Sequence, residues 1–468
     1  MKEKATRSRQ SRREYRSRVL KLTAAAVGAS LLLAACSAGG TPKSSGGAIT
    51  YWYGLDAVTS QQEAIWQKYN QAPFEKAYPN IQLNAIPQSG STLAAKVKTA
   101  LAAGQAPDFI QTPGSSNAIP YATANYFEDL TADAKKENWK NTILPWALDM
   151  GYIKGKLEAL PTSYESMVLY YNKTLFKKYG WTPPTDRASL EKLAGEMEAK
   201  GITPFAAGNA SYTGATEWLV SDFLNEVAGP TKIHDALAGK IPWTDPSIVS
   251  AIQLMKDYFD KGYFGGGVKQ YFSTQDPQKY TEFADGKAGM YLSGSWEMGS
   301  FSDYFGANGN KDQWGWAPLP ALAPGVPSNF YPLSVGGTLS VNAASKNVKG
   351  SIDYVNWLFS DTKNMWAYAA KTGNEPLPIK YSTSDIPKSV DPRYAAQYEA
   401  INAASERSDV GYVSWTSFGP QMEAYNLANE DKVVNNSLSV ATFCAGLEQA
   451  FKADTKSGLM PTLFNTKS

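Results

Sequence analysis

Short apolar runs bounded by glycine and proline alternate with segments of helical period through most of the chain. Ile49-Thr50-Tyr51-Trp52-Tyr53 is β-branched and aromatic and stops at Gly54, the composition of a buried strand. Ile65, Tyr69 and Phe74 follow on a helical face up to a break at Pro79. Ile81–Ile86 alternates as a second strand, Leu93–Ala103 reads as a helix stopped by Gly104, and Phe109-Ile110 forms a third strand. Strand, helix, strand, helix, strand at this spacing predicts βαβ units on a parallel sheet, an α/β fold.

The segment from Phe283 to Glu297 repeats the pattern with a sharper end. An amphipathic helix should close at Gly286, whose freedom at positive φ suits a C-cap. Ala288–Leu292 is then a buried strand, and Gly294-Ser295 releases Trp296 and Glu297 at its tip. Ligands of open α/β sheets bind at strand carboxyl ends, so an indole and a carboxylate delivered there form a candidate recognition site. A tryptophan that merely caps the sheet accounts for the same pattern.

The first 35 residues change the picture. Nine lysines and arginines lie within the first 21 residues, and Leu22–Ala35 is apolar. That run is shorter than the ~20 residues a bilayer span needs and fits a signal-peptide core. Leu33-Ala34-Ala35-Cys36 resembles a bacterial lipobox, in which cleavage precedes the cysteine and Cys36 carries the lipid. Two acyl chains give stable anchoring. Residues 36–47 are a flexible tether, in which Cys36 is followed only by Gly, Ser, Thr, Pro and Ala with one lysine. The export route, Sec or twin-arginine, stays open, because Arg16 and Ser17 stand where a twin-arginine signal wants apolar residues.

Without its leader the chain has 36 basic and 41 acidic residues, a net charge of −5. No basic cluster remains to hold nucleic acid phosphates. Cys444 is the only cysteine besides Cys36, which excludes an intramolecular disulfide if Cys36 is acylated.

Catalytic signatures are missing. The single histidine, His234, sits in a polar helical stretch and reads as a surface residue. No nucleophile elbow, phosphate loop or metal-ligand spacing occurs, so neither cofactor nor metal is expected. A glycosidase needs only two carboxylates, and Glu165 with Glu297 would be the pair.

ITYWYG, LAAGQAPDFIQ, LPTSYESMVLYYNKTLFKKYGWTPP, FADGKAGMYLSGSWE, YPLSVGGTLSVNAASKNVKGSIDYVNWLF and KTGNEPLP occur in that order. In this order they resemble the family-1 extracellular solute-binding proteins, the sugar-capturing subunits of bacterial ABC importers. The resemblance covers nearly everything after the tether. It implies a two-lobed α/β fold of the periplasmic-binding-protein type II kind, with a ligand cleft between lobes. Residues 48–158 with 314–360 would form the first lobe, and 159–313 with 361–468 the second. Crossovers would fall at Gly155–Pro161 and in the Pro/Gly-rich stretch from Trp316 to Gly325, and the helix Gly350–Phe359 would return to the first lobe.

The same resemblance implies a monomer that binds a carbohydrate, of di- or oligosaccharide size, and serves ABC permease subunits from the outer face of the cell membrane. Aromatic faces cover the apolar side of a sugar ring, and carboxylates or amides take its hydroxyls. The positions expected at the cleft are Trp52 and Tyr53, of which strand alternation leaves one facing ligand, then Gln111, Glu165, Trp218, Trp296, Glu297, Glu375 and Trp415. Trp218 follows a polar loop holding Asn209, Tyr212 and Glu217. Gly336 and Gly337 would bring backbone close to the ligand, which their missing Cβ permits. A charged ligand would want a fixed arginine, but only Arg187, Arg393 and Arg407 follow the leader, none at an expected strand tip. An uncharged solute of another class is the remaining alternative within this fold.

Overall fold

A computed structural model describes residues 46–55, 58–306 and 309–464. The leader, Cys36 and nearly all of the tether lie outside the described residues.

Nine strands make one mixed sheet. β1 (Gly47–Leu55) and β2 (Ile81–Ser89) pair in parallel along their whole length, and α1 (Gly90–Ala102) leads to β3 (Phe109–Thr112), which joins β1 in parallel. The expected βαβ units are therefore present. α2 (Ser115–Thr123) follows β3. Next comes β4 (Leu160–Asn172), the longest strand at 13 residues, and the short β5 (Thr203–Phe205). α3 (Ala215–Phe223), α4 (Pro246–Asp260) and α5 (Asp276–Ala284) precede β6 (Ala288–Gly294), α6 (Glu297–Tyr304) and β7 (Trp314–Ala317). β8 (Tyr331–Val341) is followed by α7 (Val348–Leu358) and α8 (Thr362–Thr372). β9 (Val410–Tyr412), the single turn α9 (Ser414–Ser417), α10 (Pro420–Val434) and α11 (Val440–Ser457) complete the chain.

The strand order is β2-β1-β3-β8-β4-β6-β5, with β9 added to β8 and β7 to β4. Two long strands connect its ends. β4 pairs antiparallel with β8 from Leu160 to Ser166, then with β6 from Met167 to Tyr171 and with β7 from Leu169 to Asn172. β8 pairs with β9 at its start, β4 in its middle and β3 at its end. β4 begins within the segment Gly155–Pro161, and the start of the Pro/Gly-rich stretch from Trp316 to Gly325 belongs to β7, a strand against β4. The alternating Trp314-Gly315-Trp316 places Trp314 in the core, and that burial outweighs the prolines downstream.

Side chains alternate along β1. Ile49, Tyr51 and Tyr53 point into one core, where Tyr51, Phe109, Phe74 and Tyr354 of α7 form edge-on and tilted ring contacts of 5.0–5.4 Å. Each such pair contributes about 0.5–1.5 kcal/mol beyond its buried area. The opposite face meets Leu93, Val97 and Leu101 of α1 and Ile119 of α2. α7 therefore lies on the first three strands, as its sequence predicts. α8 packs there as well, with Tyr368 on Tyr69 at 6.1 Å and the Asn364 amide donating to the Tyr69 carbonyl at 2.5 Å.

α5 ends as its sequence predicts. Gly286 takes φ +69°, and the amides of Gly286 and Lys287 close on the carbonyls of Phe283 and Glu282. Asn172, fully buried at the end of β4, fastens this corner. Its Oδ1 caps the following helix by accepting the Leu175 amide at 2.9 Å, while Nδ2 donates to the Phe283 and Ala284 carbonyls and to Asp312, each at 3.1 Å. Replacing it removes a cap and the amide that ties the end of α5 and Asp312 to β4. Asn172→Ala should therefore lose about 2–4 kcal/mol, read in urea as a lower midpoint with an unchanged m-value.

Candidate functional site

Glu165 lies where β4 pairs with β8, directly opposite Ser334. Its carboxyl is 6% exposed. Ser334 Oγ donates to Oε1 at 2.7 Å, and the Trp415 indole N–H reaches both Ser334 Oγ at 2.9 Å and Glu165 Oε1 at 3.3 Å. Burial pushes this carboxyl up to about 7, against the smaller opposing effect of these two hydrogen bonds. The ladder slips its register between Ser334 and Gly337. At the slip sits Gly336, where a Cβ would come within 2.5 Å of the Glu165 carboxyl. Only glycine lets backbone and carboxyl approach this closely. Gly337 faces Thr162 and Ser163.

Trp296 is held beside this group. β6 is buried at every residue and ends at Gly294, over which the Trp296 ring folds; a Cβ on Gly294 would meet it at 1.9 Å. Ser295 ties the turn to β4, donating its amide to the Ser166 carbonyl at 3.0 Å and taking the Tyr398 hydroxyl on Oγ at 3.0 Å. From there the rings run in series. Trp415 and Trp296 are 6.1 Å apart and edge-on, Trp296 and Trp218 are 5.2 Å apart, and Trp218 stacks on Tyr212 at 5.4 Å. Tyr212 is 49% exposed and Trp415 only 8%. The series thus leads from solvent to the Glu165–Ser334 pair.

Glu297 occupies the first turn of α6, fully buried. It accepts three hydroxyls at 2.6 Å each, from Tyr280, Tyr291 and Ser293. These contacts fix the helix that carries Trp296 at its start, and an acid there also suits the helix dipole. Lys279, 2% exposed, pairs with Asp276 at 2.8 Å and lies 5.8 Å from the Trp218 ring and about 5 Å from those of Tyr280 and Tyr291.

Glu165, Trp218, Trp296, Trp415 and Gly336 are therefore brought together, with Glu297 directly behind them. Tyr53 stacks on Trp66 at 3.9 Å inside the first core. Trp52, on the opposite face of β1, is half-buried against the α1–α2 cluster. Gln111 accepts the Gly54 amide at 3.3 Å and so closes the tip of β1. Glu375 adds its charge to burial in raising the phenols of Tyr394 and Tyr398, which places it beside those rings. Ser334 and Lys279 escaped the sequence reading. A serine in an apolar strand and a lysine on an amphipathic helix are ordinary until the register shows what they face. Tyr212 was legible only as part of the polar loop before Trp218.

Among the described residues no group of three or more His, Cys, Asp and Glu side chains could hold a metal ion. Cys444 is buried, and burial pushes its thiol up to about 12. No helix among them is long and apolar enough to cross a membrane.

The sequence model for bacterial extracellular solute-binding proteins matches residues 57–365. An ABC transporter extracellular-binding protein of Pyrococcus horikoshii is 27% identical over 296 residues, 61% of this chain and 62% of that one. The multiple sugar-binding protein of Streptococcus mutans is 24% identical over 361 residues, 75% of this chain and 80% of that one. The diacetylchitobiose binding protein of Streptomyces coelicolor is 23% identical, over 58% of each chain. With the exception of the Streptococcus protein, the match thus spans only part of these relatives' length. In three dimensions a chitin oligosaccharide binding protein superposes with a TM-score of 0.72 at 19% identity, covering 88% of this chain and 99% of that one. A cyclic alpha-maltosyl-1,6-maltose binding protein of Arthrobacter globiformis gives 0.64 at 19% identity, over 88% and 100%. These likenesses establish the two-lobed α/β fold, and the family is one of binding proteins, so a hydrolase using Glu165 and Glu297 has no support. The chain belongs to the bacterial extracellular solute-binding protein family.

Proposed function

We propose that the protein is a lipid-anchored, monomeric receptor that captures a carbohydrate of di- or oligosaccharide size and hands it to the permease subunits of an ABC importer. The observation that carries this reading is the ring series from Tyr212 to Trp415 ending at Glu165 and Ser334. Rings in series offer flat apolar area for successive sugar faces, and a buried carboxyl with a hydroxyl partner offers exchangeable hydrogen bonds for a sugar's OH groups. Relatives named for multiple sugars and diacetylchitobiose, and a structural neighbour named for chitin oligosaccharides, support the same class.

In this reading Trp218, Trp296 and Trp415 stack on the ligand, and Glu165 takes a hydroxyl. The backbone at Gly336 and Gly337 approaches the ligand, while Trp52, Gln111 and Glu375 contribute from the facing rim. Tyr53 and Glu297 support the site from behind. The lobes are residues 48–158 with 314–360 and residues 159–313 with 361–468, except that α8 packs with the first. β4 and β8, which serve both ends of the sheet, are the hinge about which closure occurs. Cys36 carries the anchor, so the receptor works at the extracellular face of the membrane. An uncharged ligand is favoured because each arginine is engaged by a nearby acid: Arg187 by Glu191, Arg393 by Asp391 and Arg407 by Asp409.

Calorimetry of the full-length protein in detergent against maltotriose, xylotriose, chitotriose and their monosaccharides tests the class. Saturable binding of at least one trisaccharide is expected, and flat titrations of folded protein against all of them would remove the sugar reading. For the oligosaccharide that binds, Trp296→Ala should lose ~2 kcal/mol, about thirtyfold in Kd. Unchanged affinity in a folded variant returns Trp296 to plain packing. Gly336→Ala should displace the Glu165 carboxyl, costing about 1–3 kcal/mol of stability and weakening binding in the same titration. Wild-type stability and affinity in that variant would show that the close approach is not needed.

A further inference from the structure

The first turn of α3 meets α10 through acids that the sugar reading leaves unused. Glu217 immediately precedes Trp218 and is buried. Its Oε1 accepts the Ser414 hydroxyl, and Ser414 immediately precedes Trp415. The Glu217 carboxyl also meets that of Glu423 on α10, close enough for the two to share a proton. One group thus touches both segments that carry the outer and inner tryptophans.

The surroundings contain other ionisable groups. Glu430 of α10 takes the Glu217 backbone N–H and the Asn426 amide, the latter at 2.9 Å. Asp431 accepts Thr216 Oγ1 at 2.5 Å and the Asn209 amide at 3.2 Å. Tyr212 faces the acids from the preceding loop, Tyr271 reaches Thr216 Oγ1 at 2.9 Å, and Glu165 lies beyond the rings on β4. Among the described residues no Lys, Arg or His side chain offsets Glu217, Glu423, Glu430 or Asp431. Glu423 Oε2 and Glu430 Oε1 are buried without a hydrogen-bond partner. A site of this kind holds together only while protons are shared among its carboxyls.

We propose that Glu217 is a positioning residue for the ligand site: paired with Glu423, its carboxyl clasps the Trp218 helix to the Trp415 turn and makes ligand affinity fall as pH rises. The proposal rests on the sugar-receptor reading above. Burial raises both carboxyls above the ordinary range in the packed site. A carboxyl raised in this way contributes its stabilisation fully below its ordinary pKa and loses it as pH climbs through the raised value. Removing the shared proton leaves two like charges in contact at low dielectric. That repulsion separates α3 from α10 and frees Ser414, so Trp218 and Trp415 lose their common footing.

The test compares full-length wild type, Glu217→Gln and Ser414→Ala between pH 5.5 and 8.5. Affinity is read by calorimetry with whichever of maltotriose, xylotriose or chitotriose binds, and melting temperature is read without sugar. Glutamine keeps one acceptor oxygen for Ser414, turns an amide N–H toward Glu423 and cannot ionise. Wild-type Kd should rise about tenfold across this range, one pKa unit's worth of linkage. Glu165 titrates in every protein, so the readout is the difference in slope, and Glu217→Gln should be shallower than wild type in both Kd and melting temperature. Ser414→Ala should bind more weakly at every pH and keep the wild-type slope. Equal slopes in wild type and Glu217→Gln overturn the proposal. If none of the sugars binds, the sugar reading fails alone, because the sugar-free melting slopes still decide the role of Glu217. If Glu217→Gln fails to fold, full wild-type affinity in Ser414→Ala at every pH overturns it instead.

Discussion

The antiparallel pairing of β4 with β8 is the constraint on which the rest depends. These two strands alone serve both ends of the sheet, so every element near the site is located by reference to them. Their ladder slips between Ser334 and Gly337, and a slip in a ladder bends the strand and re-aims its side chains. Here it turns a carboxyl into a position otherwise reserved for apolar residues. Burying an ionised carboxylate costs several kcal/mol even after relaxation. Glu165 meets that cost partly through Ser334 and Trp415 and partly by holding its proton up to about pH 7. A core selected only for stability would place an aliphatic residue there, so the buried acid makes this location a candidate site.

The aromatic series is rigid for a related reason. Trp296 starts a helix whose first acid, Glu297, is fixed by three hydroxyls, and its ring lies on a glycine that no other residue could replace without collision. Trp415 is fixed by its N–H on Ser334. Neither ring must be ordered when a ligand arrives, so little side-chain entropy is lost on binding. The outer members are looser, since Trp218 is half-buried and Tyr212 half-exposed. Rigidity thus falls off from the carboxyl toward solvent, which suits a site that fixes one end of a ligand and tolerates variation at the other.

Much of this could be read in the sequence. The parallel βαβ start, the closure of α5 at Gly286, the strand before Trp296 and the helix over β1 all follow from local rules that the fold leaves undisturbed. Strand ends and the order of the family segments single out Glu165, Trp218, Trp296, Trp415 and Gly336, which the fold brings together. What local rules cannot supply is partnership across long separations. Ser334 lies 169 residues from Glu165, and only the register of β4 on β8 shows that they meet. The three tyrosine and serine hydroxyls around Glu297 are likewise invisible in a linear string. Conversely, prolines near residue 320 suggest a linker, while burial of Trp314 commits the residues just before them to the sheet.

The charge pattern then bears on what such a site can recognise. Residues 36–468 carry a net charge of −5, but an overall field does not choose between neutral and anionic ligands. The local chemistry does. The three arginines are each paired with a nearby acid, and Lys279 is spent on Asp276 beneath the rings. Meanwhile Glu165, Glu217 and Glu423 all have carboxyls that burial drives toward the protonated form. Among the described residues each arginine is already paired, and an anion brought to the ring series would have to be desolvated beside acids able to ionise against it. A neutral polyol meets protonated carboxyls that can both donate and accept, and flat rings that cover its apolar faces. The same burial that makes Glu165 costly as an anion lets it both donate and accept as an acid.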